Sequence, residues 1–502
     1  MTATDTPVNT PSAARPSALI EKEKTMTQTE LINAIIGANG PLSIAEIVKL
    51  ELTAWRSSPK RAAMLDGQRY YEAENDILTR KRKAIGKDGR LMEVDNVANN
   101  RIAHAFMQEL VDQKTQYLLG KAFSIKSDND AFVKAIYEVL GDDESLRHLF
   151  KRAAKDAINK GISWLHVYYD AEGSFKLKRM EPEEMIPLWA DNEHTALNGM
   201  IRVYPVEVWE AKTRKIIHKV ELWTDDGVQR WVEKDGALTE DPDLPSGAHM
   251  TTGDGKPFNW QKLPFVALKY NDEERPLLHK VKTLVDEYDR TVSDDANMLE
   301  DQPNKVFVLT NYDGTDLGEF RRNMALYRAV KVTDNGGVDT LDTTPDVTAS
   351  NQHLERIRRD IYAFGRGVDT RNERLTGATS GQALKFEYAQ LDLDCNGLET
   401  NLQAAFQELL WFVKAHLANT GKGSFENATA QIVCNRDIII NEESAIAMCA
   451  SSAGLISEET VLANHPWVDD PQEELKRLRA QRRAEEHRYG ADYGGEDGGD
   501  EA

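Results

Sequence analysis

The stretch RNERLTGATSGQALKFEYAQLDLD, residues 371–394, hands a glycine-bearing loop directly to a long helix. Arg371, Asn372, Arg374 and Thr376 make the loop polar, and Ser380 is a good N-cap between Gly377 and Gly381, which allow the turn. As a phosphate-binding P-loop the junction fails. That motif needs four residues between its glycines, then Lys and a hydroxyl; here there are three, and Gln382 and Ala383 stand in the last two places. From Gly381 to Leu417 an apolar stripe through Leu391, Leu398, Leu402, Ala405, Leu409 and Phe412 predicts one very long helix. Asp392, Asp394, Asn396 and Gly397 match the first half of an EF-hand loop, but its twelfth position is Gln403 instead of Glu. The segment reads as a polar helix face.

Working outward, NQHLERIRRDIYAFG (351–365) carries Leu354, Ile357 and Ile361 at helical spacing. Before it, KVFVLT, LGEFRRNMALYRAV, VKVT and VDTL, with NGG as a turn, predict a small β-α-β-β insertion. ERPLLHKVKTLVDEYDRTVSDDANMLEDQ (274–302) is amphipathic, with Leu277, Val281, Leu284, Tyr288, Val292 and Leu299 near one stripe. Asp286, Asp289, Asp294 and Glu300 lie opposite, and Pro303 ends the helix. The first 270 residues read as one mixed α/β body. In it, VANNRIAHAFMQELVDQKTQYLLG predicts a helix with Ile102, Phe106, Leu110, Lys114 and Tyr117 on one face, and residues 163–236 predict an antiparallel meander. Its tryptophans, Trp164, Trp189, Trp209, Trp223 and Trp231, are expected in the core.

Composition narrows the function. The 62 basic and 83 acidic residues give a net charge of −21, which excludes a general nucleic-acid coat. Cys395, Cys434 and Cys449 are too dispersed for a zinc cluster and too few for a disulfide framework, so buried thiols are expected. The eleven histidines show no zinc-protease spacing, and no nucleophile elbow occurs. The expectation is a non-enzymatic, soluble intracellular protein with no cofactor, metal or membrane span. The basic runs TRKRK and KRLRAQRR read singly as solvated faces.

The order of parts, with the phrases YYEAENDILTRKRK, VANNRIAHAFMQELVDQKTQYLLGK and above all SGQALKFEYAQLDLDCNGLETNLQAAFQELLWFV, resembles the portal protein of long-tailed bacteriophages, over about residues 40–470. This siphovirus-type resemblance implies an α+β portal fold. Its parts would be an N-terminal disordered arm (1–35), wing (36–271), stem helix (272–302), clip (303–349), second stem helix (350–366), tunnel loop (367–380), long wing helix (381–420), crown (421–482) and acidic disordered tail (483–502). It further implies a homo-oligomeric ring, commonly of twelve subunits, at one capsid vertex of the virion, assembled in the host cytoplasm. Double-stranded DNA would pass through it during packaging, retention and ejection. Partners would be the terminase large subunit, head-completion or adaptor proteins, and the major capsid and scaffolding proteins. Arg371, Arg374, Asn372 and Thr376 would meet DNA from the tunnel loop, Gly377, Ser380 and Gly381 would form its junction with the long helix, and Asp286, Asp289 and Asp294 would give an acidic channel face. The alternative is a capsid-associated scaffolding or shell protein without a channel.

Overall fold

Ser43 opens the first helix with a capping box. Its backbone N donates to Glu46 Oε2 at 2.8 Å, and Glu46 N donates back to Ser43 Oγ at 3.3 Å. This helix, α1 (Ile44–Arg56), begins the described part of a computed structural model. The structure describes residues 43–492 except 86–88, 95–96, 211, 252–254, 302–304, 313–315, 328–330, 343–347, 372–380, 437–441 and 469–470.

The elements run α2 (Pro59–Tyr71), β1 (Lys83–Ile85), β2 (Leu91–Glu93), α3 (Phe106–Leu119), β3 (Ser124–Lys126), α4 (Asp130–Leu140) and α5 (Asp143–Lys160). Strands β4 (Ile162–Tyr169), β5 (Phe175–Met180), β6 (Met185–Trp189), β7 (Leu197–Glu210), β8 (Thr213–Thr224), β9 (Gly227–Lys234), β10 (Ala237–Glu240), β11 (Met250–Thr251), β12 (Pro257–Phe258) and β13 (Phe265–Lys269) follow. Then come α6 (Leu278–Asp301), β14 (Lys305–Tyr312), α7 (Leu317–Tyr327), β15 (Val332–Asp342), α8 (Thr348–Gly365) and α9 (Gly381–Asn419). β16 (Gln431–Val433), α10 (Glu442–Ser452), α11 (Glu458–Ala463) and α12 (Pro471–Asp492) complete the chain. Helices and antiparallel sheets occupy separate stretches, so the fold is α+β.

Two compact units are present. The first joins the segment up to Ala54 with Met185–Leu263; the second joins Trp55–Glu184 with the chain from Pro264 on. The first unit holds a five-stranded sheet in the order β10-β9-β8-β7-β6, in which every neighbour pair is antiparallel. This is the expected meander, but it starts later than expected. β4 pairs with both β5 and β13 in a separate sheet of the second unit, ordered β13-β4-β5. Trp164, Trp189, Trp223 and Trp231 are buried as expected, whereas Trp209, near the β7–β8 turn, is 72% exposed. That ribbon extends beyond the rest of the sheet, since β7 and β8 pair as far as Glu210 and Thr213 while β6 pairs only up to Arg202.

Two further expectations are corrected. The helix expected from Val97 starts at Phe106, because the preceding residues run extended along another helix. The insertion is β-α-β: NGG lies inside β15, which pairs with β14 continuously save for one register shift between Thr310 and Tyr312. The last helix runs from Pro471 to Asp492. It buries little but carries supporting pairs such as Glu473–Arg477 at i,i+4 spacing.

In the second unit α9 passes unbroken through Asp392–Gly397, and its Leu398, Leu402, Phe406, Leu409 and Phe412 are buried. Phe406 meets Phe150 of α5 edge-on at 6.5 Å. Where α2 meets the end of α5, Gly67 admits the Asn159 backbone. A Cβ at this glycine would lie 1.8 Å from the Asn159 carbonyl oxygen. Gly67→Ala is therefore expected to force the helices apart and destabilise the second unit by about 2–3 kcal/mol. An unchanged urea midpoint in that variant would contradict this packing.

Candidate functional site at the stem and loop root

Helix α6 carries a polar seam at positions 286, 289, 293, 297 and 300, spaced three or four residues apart and therefore on one face. An extended strap, residues 99–104, runs antiparallel along it. Asn100 N donates to Asn297 Oδ1 at 2.6 Å, Ile102 N to Ser293 Oγ at 3.0 Å, and His104 N to Asp289 Oδ1 at 3.0 Å. The register has a physical basis. Two extended residues advance roughly 6.7 Å and four helical residues about 6 Å, so every second strap amide meets every fourth helix side chain. The seam does for the strap what a neighbouring strand does in a sheet.

Asp289 anchors the seam. Its side chain is wholly buried; besides the His104 amide it has His104 Nδ1 at 2.7 Å and accepts from Asn75 Nδ2 at 2.5 Å. Asp286 accepts from the Tyr70 hydroxyl and lies 2.9 Å from Lys282 Nζ, which also reaches Asp76 at 2.5 Å. Asp294 pairs with Arg80 at 2.9 Å and Glu300 accepts from Asn100 Nδ2 at 2.8 Å. Within the chain each of the three carboxylates therefore has partners of its own. Asp289 presents no charge outward, and Asp286 and Asp294 are engaged by cations of their own chain. Periodicity marked these carboxylates as opposite the apolar stripe, but a second covering segment was invisible to it.

The helix α8 returns and ends at Gly365, where Arg366 takes the left-handed conformation with φ 51°. Gly367 N donates to Tyr362 O at 2.9 Å and Arg366 N to Ala363 O at 3.3 Å, the bond pattern of a Schellman stop. Arginine there is strained relative to glycine by about 1 kcal/mol. The glycines flank it instead, because Leu110 of α3 presses on both. A Cβ at Gly367 would sit 2.3 Å from Leu110 Cδ2, and one at Gly365 would sit 2.7 Å from Cδ1.

From that point the adjacent residues Gln113 and Lys114 of α3 hold the start of the 367–380 loop. Gln113 pairs with Val368 in both directions, its Nε2 donating to Val368 O at 2.7 Å and its Oε1 accepting from Val368 N at 2.9 Å. Lys114, buried entirely, donates to Arg366 O at 2.9 Å and pairs with Asp394 Oδ2 of α9 at 2.8 Å. Asp394 also accepts from Tyr270 Oη at 2.5 Å, with Arg366 at 3.3 Å and Lys280 at 3.8 Å from its other oxygen. Burial by itself would raise the Asp394 pKa, but Lys114 and the Tyr270 hydroxyl more than offset this and hold it below the usual carboxylate range. The same burial pushes the Tyr270 hydroxyl well up. Just beyond, Arg371 is exposed, its backbone N donating to Asp369 Oδ1 at 3.1 Å, and Asp369 is engaged by Arg358.

Asn372, Arg374, Thr376, Gly377 and Ser380 lie outside the described residues; Gly381 is the first residue of α9. The sequence reading missed the root, namely Leu110, Gln113, Lys114 and Asp394. One signal was available: Lys114 fell on an otherwise apolar helix face, where an ammonium must find buried partners. Asp394 had been weighed for calcium, and its actual cation is a lysine.

The model of the family described as Phage portal protein, SPP1 Gp6-like, matches residues 59–488. The chain belongs to that portal family. It is 33% identical over 458 residues to the portal protein of Bacillus phage SPP1, covering 90% of each chain. To the portal protein of Clostridium phage phiCD119 it is 28% identical over 469 residues, covering 89% of this chain and 99% of the relative. Among solved structures, a chain in the neck of a native GTA particle computed with C12 symmetry has a TM-score of 0.37 at 12% identity, covering 72% of this chain and 90% of that one.

Two outcomes check the root. Asp394→Asn is expected to strand the Lys114 ammonium and cost about 3–5 kcal/mol at neutral pH. A depressed carboxylate contributes stability that is fully present above its unfolded pKa of about 4 and fades as pH falls through the lower folded value. Urea midpoints of the wild type and the variant should therefore converge only in acid below that range. Gly367→Ala should raise proteolytic cleavage in the loop without altering far-ultraviolet circular dichroism, and unchanged cleavage would refute the close packing on Leu110.

Proposed function

We propose that this portal-family chain is the subunit of a ring at one vertex of a phage head, commonly of twelve copies, through which double-stranded DNA is packaged, retained and ejected. The observation that supports this best is the loop root. Helix α8, packed antiparallel to α6, ends at a loop whose base is held by Gln113 and Lys114 and whose far side enters a 39-residue helix. A loop held so firmly at its base can present its tip to a passing polymer without losing its place.

On this reading α6 and α8 form the stem, β14-α7-β15 the clip, the loop the tunnel constriction and the segments after 421 the crown. The clip would be the docking face for the terminase large subunit and later for head-completion proteins, while capsid and scaffolding proteins would meet the wing. The role is structural rather than enzymatic, in the virion after assembly in the host cytoplasm. Low friction requires few retained phosphate contacts, which suits a chain of net charge −21 with isolated arginines at the loop. Arg371 and Arg374 are the residues assigned to DNA; Asp289, being buried, takes no part.

Electron microscopy of the purified protein, with its solution mass, tests the ring directly. Rotationally symmetric rings with a central hole are expected, and closed shells or rods would overturn the proposal. Arg371→Ala with Arg374→Ala should leave those rings intact and lower DNA packaging several-fold, whereas full packaging in the double variant would remove both residues from the DNA path.

A further inference from the structure

A cleft of about 660 Å³ lies in the second unit between the end of α4, the first turns of α5, the start of β5 and the end of α9. Leu146 and Phe175 are buried in its floor beside His416, which is held by the Tyr169 hydroxyl at 2.8 Å from its Nδ1. The rim carries three exposed permanent cations from three separate elements, Arg152, Lys176 and Lys422. Among the described residues none of the three has a carboxylate partner, although cations elsewhere in this acidic chain are widely paired. Glu138 is the single carboxylate in the lining. Three permanent cations against one carboxylate leave the lining net positive.

We propose that this cleft is a phosphate-binding site for a group of about mononucleotide size. Arginine offers a planar fork that matches two phosphate oxygens, and the lysines add point charge from two other elements. The volume falls in the range of small-ligand pockets, and the floor of Phe175 and Leu146 offers an apolar bed for the non-ionic part of such a ligand. Cations left without partners on a chain of net charge −21 are placed against the trend of its surface, which a bound anion would explain. The phosphate can come from a free nucleotide or pyrophosphate, or from the phosphodiester of DNA, and the chemistry of recognition is shared.

Calorimetric titration of the full-length protein with pyrophosphate, and separately with a short DNA duplex, tests the site. Arg152→Gln, Lys176→Gln and Lys422→Gln combined, all at exposed positions, should weaken binding of the recognised probe by about tenfold or more, since charge-assisted hydrogen bonds are lost. Glu138→Gln keeps every cation and should tighten it by about threefold. Saturable pyrophosphate binding lost in the triple variant assigns the site to free phosphate. Duplex binding lost in the triple variant, but kept when Arg371 and Arg374 are replaced by alanine, assigns it to the phosphodiester. The proposal falls if neither probe saturates, if the triple variant binds as the wild type does, or if Glu138→Gln does not tighten binding.

Discussion

A buried ammonium cannot stay unpaired, and the region around the loop depends on how Lys114 satisfies that constraint. Its partners come from two distant parts of the chain: the carbonyl of Arg366 at the end of α8, and the carboxylate of Asp394 in the middle of α9. One side chain thus ties α3 to the helix before the loop and to the helix after it. Removing either charge leaves the other stranded in a low-dielectric interior, so the three segments are coupled electrostatically as well as by packing. The strained arginine at position 366 and its flanking glycines become intelligible once Leu110 and Lys114 are seen to occupy the space beside them.

The strap along α6 solves a complementary problem. A single amphipathic helix with carboxylates on its polar face would repel itself and leave its covering segment without backbone partners. Asp289, Ser293 and Asn297 instead accept the amides of His104, Ile102 and Asn100, making the polar face an internal seam. What remains charged toward the outside is partly neutralised by Lys282 and Arg80. A helix built in this way is stiffened along its length by hydrogen bonds from outside it.

Local signals and long-range ones were legible to different degrees. The helical spans of α6, α8 and α9 were readable because their apolar stripes repeat over many turns, and the meander because alternation survives in each strand. The split of β4 and β5 from that meander was not readable, since β13, the other partner of β4, comes almost one hundred residues later in the chain. The start of α3 at Phe106 was missed for the same reason. Residues 97–105 have acceptable helix propensity, and the groups that hold them outside a helix come from α6 and from residues 75–82.

By itself the sequence determined the α+β class, the order of parts, the unbroken long helix and, through the phrase at residues 380–413, membership of the portal family. These rest on periodicity, turn chemistry and side-chain identity within short windows. The tertiary structure alone decided which carboxylates are buried, which cation each one meets, and how the loop is fixed at its base. Those outcomes depend on groups more than 180 positions apart, such as Lys114 with Asp394 and Asp289 with His104, and no local pattern encodes the distance between them.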